Sequence, residues 1–361
     1  TVSISGSVAD CKSMDWTGVL NAPTFDISNN LNVYGSFTLI DNMTLSGGSS
    51  ISFKSTNTGN TIAFSGHSSA RSIYFNGVGG EWDMQDSIIL TSPFNNFSVS
   101  AGTLNTAGYN IECGILSFSG TSVVNLLSSN IGIKRQGTIS STNVNPGTST
   151  MYLRGEYNNA LSTSVDLYNV VNVSTTSFQI AGWGGTTGNF NKITQKSSNT
   201  LKLTGITSDS VIVEPGKTLE LSGTVTVNDY LVMNGTCSLL SSLTGTGTLS
   251  SSTGNIVVNH TNIENITATG GASFVANDSY DLGGNSGWTI NSTSAKEYYW
   301  VGDGGSWNDG SHWALTSGGS GSGCVPTFQD NVYFDANSFS TTGQTVSISG
   351  SVADCKSMDW T

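Results

Sequence analysis

ISFKSTNTGNTIAFSGHSSARSIYF, residues 51–75, carries the pattern from which the fold can be read. Ile51 and Phe53, Ile62 and Phe64, and Ile73 and Phe75 are apolar pairs with one residue between their members. A spacing of two puts both members on one face of an extended strand, so each pair marks a strand with one buried face. The pairs recur every 11 residues. Between them lie Gly, Ser, Thr and Asn, the residues that close turns.

The same pairing extends in both directions from this stretch. It returns at Trp82/Met84, Ile88/Leu90, Phe97/Val99, Leu116/Phe118 and Ile131/Ile133, and later at Leu201/Leu203, Val211/Val213, Leu219/Leu221, Val225/Val227 and Leu231/Met233. No helical period competes with it. Two all-β architectures give such spacing: a parallel β-helix (β-solenoid) with coils of about 20 to 22 residues, and tandem β-sandwiches with turns every 8 to 12 residues. The short strands run on without the longer hairpins expected of antiparallel sheets, which favours the β-helix. About fourteen coils rising roughly 4.8 Å each would make a rod near 65 to 70 Å long, with Asn and Thr stacked in ladders at successive turns. Regularity weakens between Lys134 and Lys196, where Lys134-Arg135-Gln136, the Pro146 region, Tyr152 to Tyr157 and the glycine-rich surroundings of Trp183 suggest projecting loops.

A second, longer repetition sets the domain plan. The block TVSISGSVADCKSMDWT at residues 1–17 returns unchanged at residues 345–361, an offset of 344 residues. Self-similarity at a fixed period is the mark of a repeat architecture, so the chain is expected to be one period of a longer array. Residues 1–20 would be the end of a junction module leading into the first coil, 21–297 the rod, and 298–361 the junction module with the start of the next repeat. The junction is set apart by EYYWVGDGGSWNDGSHW, which gathers Trp300, Trp307 and Trp313 before a flexible SGGSGSG stretch.

Composition narrows the function classes. Charged residues make up 10% of the 361 residues, against about 25% in ordinary soluble domains. Hydroxyls and amides must therefore solubilise the surface, as suits an extracellular fibre. A net charge of −12 with Lys plus Arg at 12 leaves no cationic cluster for phosphates, so nucleic acid is not an expected partner. No apolar run approaches the roughly 18 to 20 residues of a membrane span. An enzyme is not expected either: Arg71, Arg135, Arg154, His67, His260 and His312 are scattered, and Glu81, Asp83 and Asp86 serve as well for a solvated strand edge as for a cation site. The Gly216-Lys217-Thr218 tripeptide lacks the first glycine of a phosphate loop and the helix after it, and reads as a turn.

Four features remain as candidate sites. Trp183, in a glycine-rich loop, could offer a stacking platform for a glycan or a partner chain. Trp300, Trp307 and Trp313 are expected to pack the junction. Asp303, Asp309, Asp330 and Asp335 lie in loops rich in Gly and Asn, as oxygen ligands of a structural calcium do, although no EF-hand or nonapeptide calcium repeat surrounds them; no other cofactor is implied. Of the five cysteines, Cys324 stands 31 residues before Cys355, and these two are expected to form a disulfide. Cys11 would then pair with a cysteine of the preceding repeat, leaving Cys113 and Cys237 as buried thiols on strand faces.

YYWVGDGGSWNDGSHWA, CVPTFQDNVYFDANSF, CKSMDWTG and YDLGGNSGWTI resemble the repeat units of very large, repetitive cell-surface proteins of Bacteroidota. These are the gliding-adhesin-like and fibre-like cargo of type IX secretion. The motifs cover about residues 298–361, 1–18 and 280–290. The unchanged end repeat is also similar to what filamentous appendages such as grappling-hook fibres show. The resemblance implies secretion, an extracellular or cell-surface location, and a filament, stalk or adhesive role; it brings no catalytic residues. The partners it implies are copies of the chain itself and cell-surface glycans. Asp86-Ser87-Ile88 and Asp209-Ser210-Val211 match the short O-glycosylation pattern of that phylum.

Overall fold

The computed structural model describes residues 1–4, 6–156, 159–348 and 353–360; Tyr157, with residues 5, 158, 349–352 and 361, lies outside them. The described residues are all-β, with one 3-10 turn at Gly310–His312 and no α-helix. Parallel strands stack into a β-solenoid of about 14 turns. Tandem sandwiches are set aside by the pairing itself, since the named strands along the rod pair in parallel with the coil before and the coil after.

The 11-residue recurrence is half a coil. Ile73 and Phe75 sit in register with Ile51 and Phe53 of the previous coil, and with Phe97 and Val99 of the next. Ile62 lies on a different face, in Asn60–Ala63, and pairs with Met84. In this part of the rod each coil carries three short strands, for example Ser68–Ser69, Ile73–Phe75 and Glu81–Met84. The inward members fill the interior. Phe37, Phe53, Phe75 and Phe97 form a stack with ring centroids 5.8, 4.9 and 5.6 Å apart, all removed from solvent. Such contacts add about 0.5–1.5 kcal/mol per pair to the area they bury.

The outward residues form the expected ladder. Asn105 Nδ2 donates to Asp83 Oδ1 at 2.7 Å, Asn125 to Asn105 at 2.6 Å and Asn145 to Asn125 at 2.6 Å. Asn105 and Asn125 thus each donate to the coil before and accept from the coil after. This occupies Asp83, and Glu81 also accepts from Asn105 at 3.0 Å. Asp86 caps the amide of Phe64 at 2.9 Å, so this acidic group is spent on the scaffold.

Between Lys134 and Lys196 the reading of projecting loops is corrected at Lys134-Arg135-Gln136 and Tyr152, though not at Trp183. Lys134, Arg135 and Gln136 lie inside the strand Asn130–Ile139, and Tyr152 inside Thr150–Leu153; among the described residues of the region the strands keep their parallel pairing, and the turn at Trp183 remains a loop. What changes is coil shape. The third face ends at Asn143–Asn145, and later coils use long strands that bend across two faces, such as Gly188–Gln195 and Ile206–Val213. The first strand of this kind, Ile111–Phe118, shifts register at Gly114, where a Cβ would lie 2.3 Å from the Pro93 carbonyl. A bent strand carries two apolar rows out of phase, which blurs the alternation.

The solenoid ladder stops at Thr289–Asn291 and a new sheet begins at Glu297–Trp300. Glu297–Trp300, Asn331–Phe334 and Ser357–Trp360 pair in parallel, with Trp313–Ala314 antiparallel on the outer edge. Among the described residues, no strand of this junction sheet pairs with a solenoid strand. Phe75→Ala should destabilise the rod by about 3–5 kcal/mol, through lost burial and the cavity left behind. Val78→Ala, at a position 73% exposed, should stay within about 0.5 kcal/mol. Denaturant melts of the two variants check the difference.

Candidate functional site

The junction module is built around its aromatic residues. Trp300, Trp307 and Trp313 are buried together with Tyr298, Val332 and Phe334. Trp313 meets Trp300 and Trp307 edge-on at 5.0 and 4.7 Å, and the His312 ring lies flat on Trp300 at 4.7 Å. Trp300 Nε1 donates to the Asp303 carbonyl at 2.6 Å and Trp313 Nε1 to the Trp307 carbonyl at 2.8 Å, so both indole poles are satisfied inside the loops they organise. The three side chains face the core and offer no stacking surface to a glycan.

Cysteine pairing differs from the expectation. Cys324 is bonded to Cys237, 87 residues earlier, and Cys355 and Cys11 are free thiols. The Cys324–Cys355 pairing is therefore corrected, and with Cys324 engaged the expected link from Cys11 to a preceding repeat loses its partner. Cys237 also leaves the set of strand-face thiols: it follows Asn234-Gly235 in a turn closed by Thr236 and Leu239. Chain spacing misled because the bond joins two modules, whereas proximity in sequence reports only on one. Asn-Gly before Cys237 was the available signal for a turn. Cys113 is buried, and burial followed by the neighbouring Glu112 charge pushes its thiol up strongly.

The disulfide spans the seam where the ladder is interrupted. Tyr280 of the last solenoid coils reaches across it, its ring 5.1 Å from Phe328 and its hydroxyl 3.1 Å from Thr327 Oγ1. Beside them, Asp330 is 4% exposed. Its Oδ1 accepts from the Lys296 amide at 2.7 Å, and its Oδ2 accepts from the amide and hydroxyl of Thr327, each at 2.7 Å. Burial, then the Asp330 and Tyr280 groups, pushes the Tyr298 phenol up to about 12.

The four aspartates considered for calcium do not converge. Asp303 accepts from the Ser340 amide and hydroxyl at 2.5 and 2.7 Å, Asp309 from the Ser311 amide at 2.9 Å, and Asp335 from the Asn337 amide at 2.9 Å. Asp309 and Asp335 each close their own loop, whereas Asp303 and Asp330 tie segments 37 and 34 residues apart. Among the described residues no group of three or more His, Cys, Asp or Glu side chains gathers as a metal site would require. Trp183 sits on the turn between Phe178–Gly182 and Gly188–Gln195, 43% exposed, with its carbonyl accepting from Thr186. It is the candidate whose side chain does face solvent. Of the two O-glycosylation triplets, Ser210 is 6% exposed, whereas Ser87 is half-buried, its hydroxyl accepting from the Asn110 amide at 3.0 Å. Among the described residues no helix is long and apolar enough to cross a membrane.

No family model, curated protein or solved structure matches the chain.

Two outcomes follow from the junction chemistry. Cys237→Ser should lower stability by up to about 4–5 kcal/mol, the chain-entropy value for so long a loop, while Cys355→Ser should cost less than about 1 kcal/mol. Denaturation of each variant, with non-reducing peptide mapping of the parent, checks both. The Asp303 and Asp309 carboxyls are held below their usual value, chiefly by hydrogen bonds from Ser340 and Ser311. A lowered folded value means the stabilisation is complete above the unfolded aspartate value of about 3.9 and is lost as pH falls through the folded values. Tryptophan fluorescence should therefore report loosening of the junction only below about pH 4, and Asp303→Asn should shrink the acid-dependent part.

Proposed function

We propose that the chain is a structural repeat of a secreted, multi-repeat extracellular filament or stalk, which associates with copies of itself and serves surface attachment or capture of other cells. The observation that carries this reading is the unchanged return of residues 1–17 at residues 345–361, on a chain whose coils template one another along one axis. The surface supports it. Three ion pairs occur among the described residues, all of them solvent-exposed to a substantial degree, and the rest of the rod presents rows of Ser, Thr and Asn. Such rows offer hydroxyl and amide hydrogen bonds to neighbouring copies, while the net charge of −12 per chain makes their association strengthen with salt.

Repetition then multiplies a weak contact. An interface worth about 4 kcal/mol per repeat gives only millimolar affinity. Linked repeats in register gain effective concentration, so an array binds far more tightly than its unit. Contacts arranged around an axis close into rings or bundles with cyclic symmetry. A second reading, a glycan-binding adhesin module, is favoured by one observation, the exposed Trp183 on its projecting turn.

Analytical ultracentrifugation of one-, two- and four-repeat chains tests the fibre reading. A single repeat should be monomeric or weakly associated, and association should strengthen steeply with repeat number; an association independent of repeat number would reject it. A glycan array on the single repeat separates the second reading, since saturable binding abolished by Trp183→Ala is what an adhesin predicts.

A further inference from the structure

The block at residues 1–17 and the block at residues 345–361 are one sequence seen from two sides. In the first copy the backbone bonds point forward along the rod: the Ile4, Met14 and Trp16 amides donate to the carbonyls of Asp26, Ser36 and Thr38, at 3.0, 2.9 and 3.1 Å. In the second copy the bonds point backward. The Lys356 amide donates to the Asp330 carbonyl at 2.7 Å, and the carbonyls of Thr345 and Ser347 accept from Gly305 and Trp307 at 3.0 and 2.8 Å. No backbone group in one set has its counterpart in the other, because a parallel strand sends alternate peptide groups to opposite neighbours.

Side chains follow the same division. Ile348 is 62% exposed, Met358 46% and Trp360 64%, yet their counterparts Ile4, Met14 and Trp16 are buried or half-buried under the coil that starts at Thr24–Asp26. Conversely Val2 is 53% exposed, whereas Val346 is half-buried against Gly305–Ser306. The indole uses a different neighbour in each copy: Trp360 stacks on Phe334 at 4.1 Å, and Trp16 packs on Phe25 at 5.3 Å.

We propose that the block is a single coil shared by two consecutive units, and that the open edge at Ser357–Trp360 is the surface on which the opening coils, residues 24–38, of the next copy of this unit stack, the shared block standing in for that copy's residues 1–17. The occupant is fixed by the first copy, which shows residues 24–38 seated on this same sequence in register: Phe25 beside Val2, Leu31 beside Ala9 and Phe37 beside Met14. Combined with the second copy, the coil carries Val332 on one side of its methionine and Phe37 on the other. The junction sheet of one unit thereby becomes the first layers of the solenoid of the next. The interruption between Thr289–Asn291 and Glu297–Trp300 is then the seam within each period, and the boundary between units is continuous. The inference rests on the multi-repeat reading above and adds how successive units join.

Hydrogen exchange on the single chain and on a two-unit chain with one central block tests it. In the single chain the Met14 and Trp16 amides should be protected, and those of Met358 and Trp360 should exchange freely. In the two-unit chain the central methionine and tryptophan amides should slow by about tenfold or more. Central amides exchanging as fast as those of the terminal copy would overturn the proposal. As a control, Gly35→Val in the second unit places side-chain carbon where a Cβ would lie 2.4 Å from the Lys12 carbonyl. It should restore fast exchange at those two central amides and leave the lysine amide, which faces backward, protected; unchanged protection of all three would equally overturn it. Sedimentation is independent of this readout: a continuous seam in chains that never associate leaves the shared coil standing and removes the fibre, and association without protection does the reverse.

Discussion

Everything in this molecule depends on the axial hydrogen-bond ladder between coils. A single coil makes few backbone bonds within itself, and its apolar side chains face a narrow interior that only the layers above and below can close. Stability is therefore a nearest-neighbour property, as in other stacked repeats. Each coil is both product and template. Where a ladder ends, a row of unpaired peptide groups remains, and one such row lies along Ser357–Trp360, where the next unit of the proposed array would supply the missing layer.

The ladder is interrupted between Thr289–Asn291 and Glu297–Trp300, and there other interactions replace it. Asp330 gathers three donors, one from Lys296 of the connecting segment and two from Thr327, Tyr280 packs on Phe328, and the Cys237–Cys324 bond ties a solenoid turn to the junction loop. A buried carboxylate with three donors is held well in place, but removing those donors would leave a charge out of water, so the arrangement fixes geometry more than it adds stability. The disulfide acts on a different quantity, the freedom of the unfolded chain. Together they make a defined joint where the backbone ladder offers none.

How much of this was legible in the sequence depends on whether the signal is local. Ile51/Phe53 and Ile73/Phe75 announced buried strand faces because alternation is a property of consecutive residues, and their recurrence announced the coil. Lys134 to Gln136 looked like a loop because a strand bending across two faces breaks the alternation while keeping its hydrogen bonds. The burial of Trp300, Trp307 and Trp313 could be expected from their clustering. The partner of Cys324 could not: it is set by how the junction folds back on the rod, a relation 87 residues long with no periodic trace. The four aspartates illustrate the limit of composition, since Asp-rich glycine loops suit calcium and loop-closing hydrogen bonds equally, and only coordinates show that each carboxylate is already engaged.

The remaining thiols bear on how the joint keeps its single disulfide. Exchange requires a thiolate with access to the bonded sulfur. Cys113 lies inside the solenoid, and burial pushes its thiol up so far that it stays protonated. Cys11 and Cys355 are half-buried and are also pushed up, first by burial and then by the neighbouring Asp10 and Asp354 charges. All three free cysteines are thus held in the less reactive form, and one of them is also sealed from solvent. A chain that repeats its cysteines in every period would otherwise carry many routes to mispairing between units. In the oxidising setting of the proposed extracellular fibre, where disulfides persist, burial of Cys113 keeps its thiol away from the Cys237–Cys324 staple that ties the solenoid turn to the junction loop.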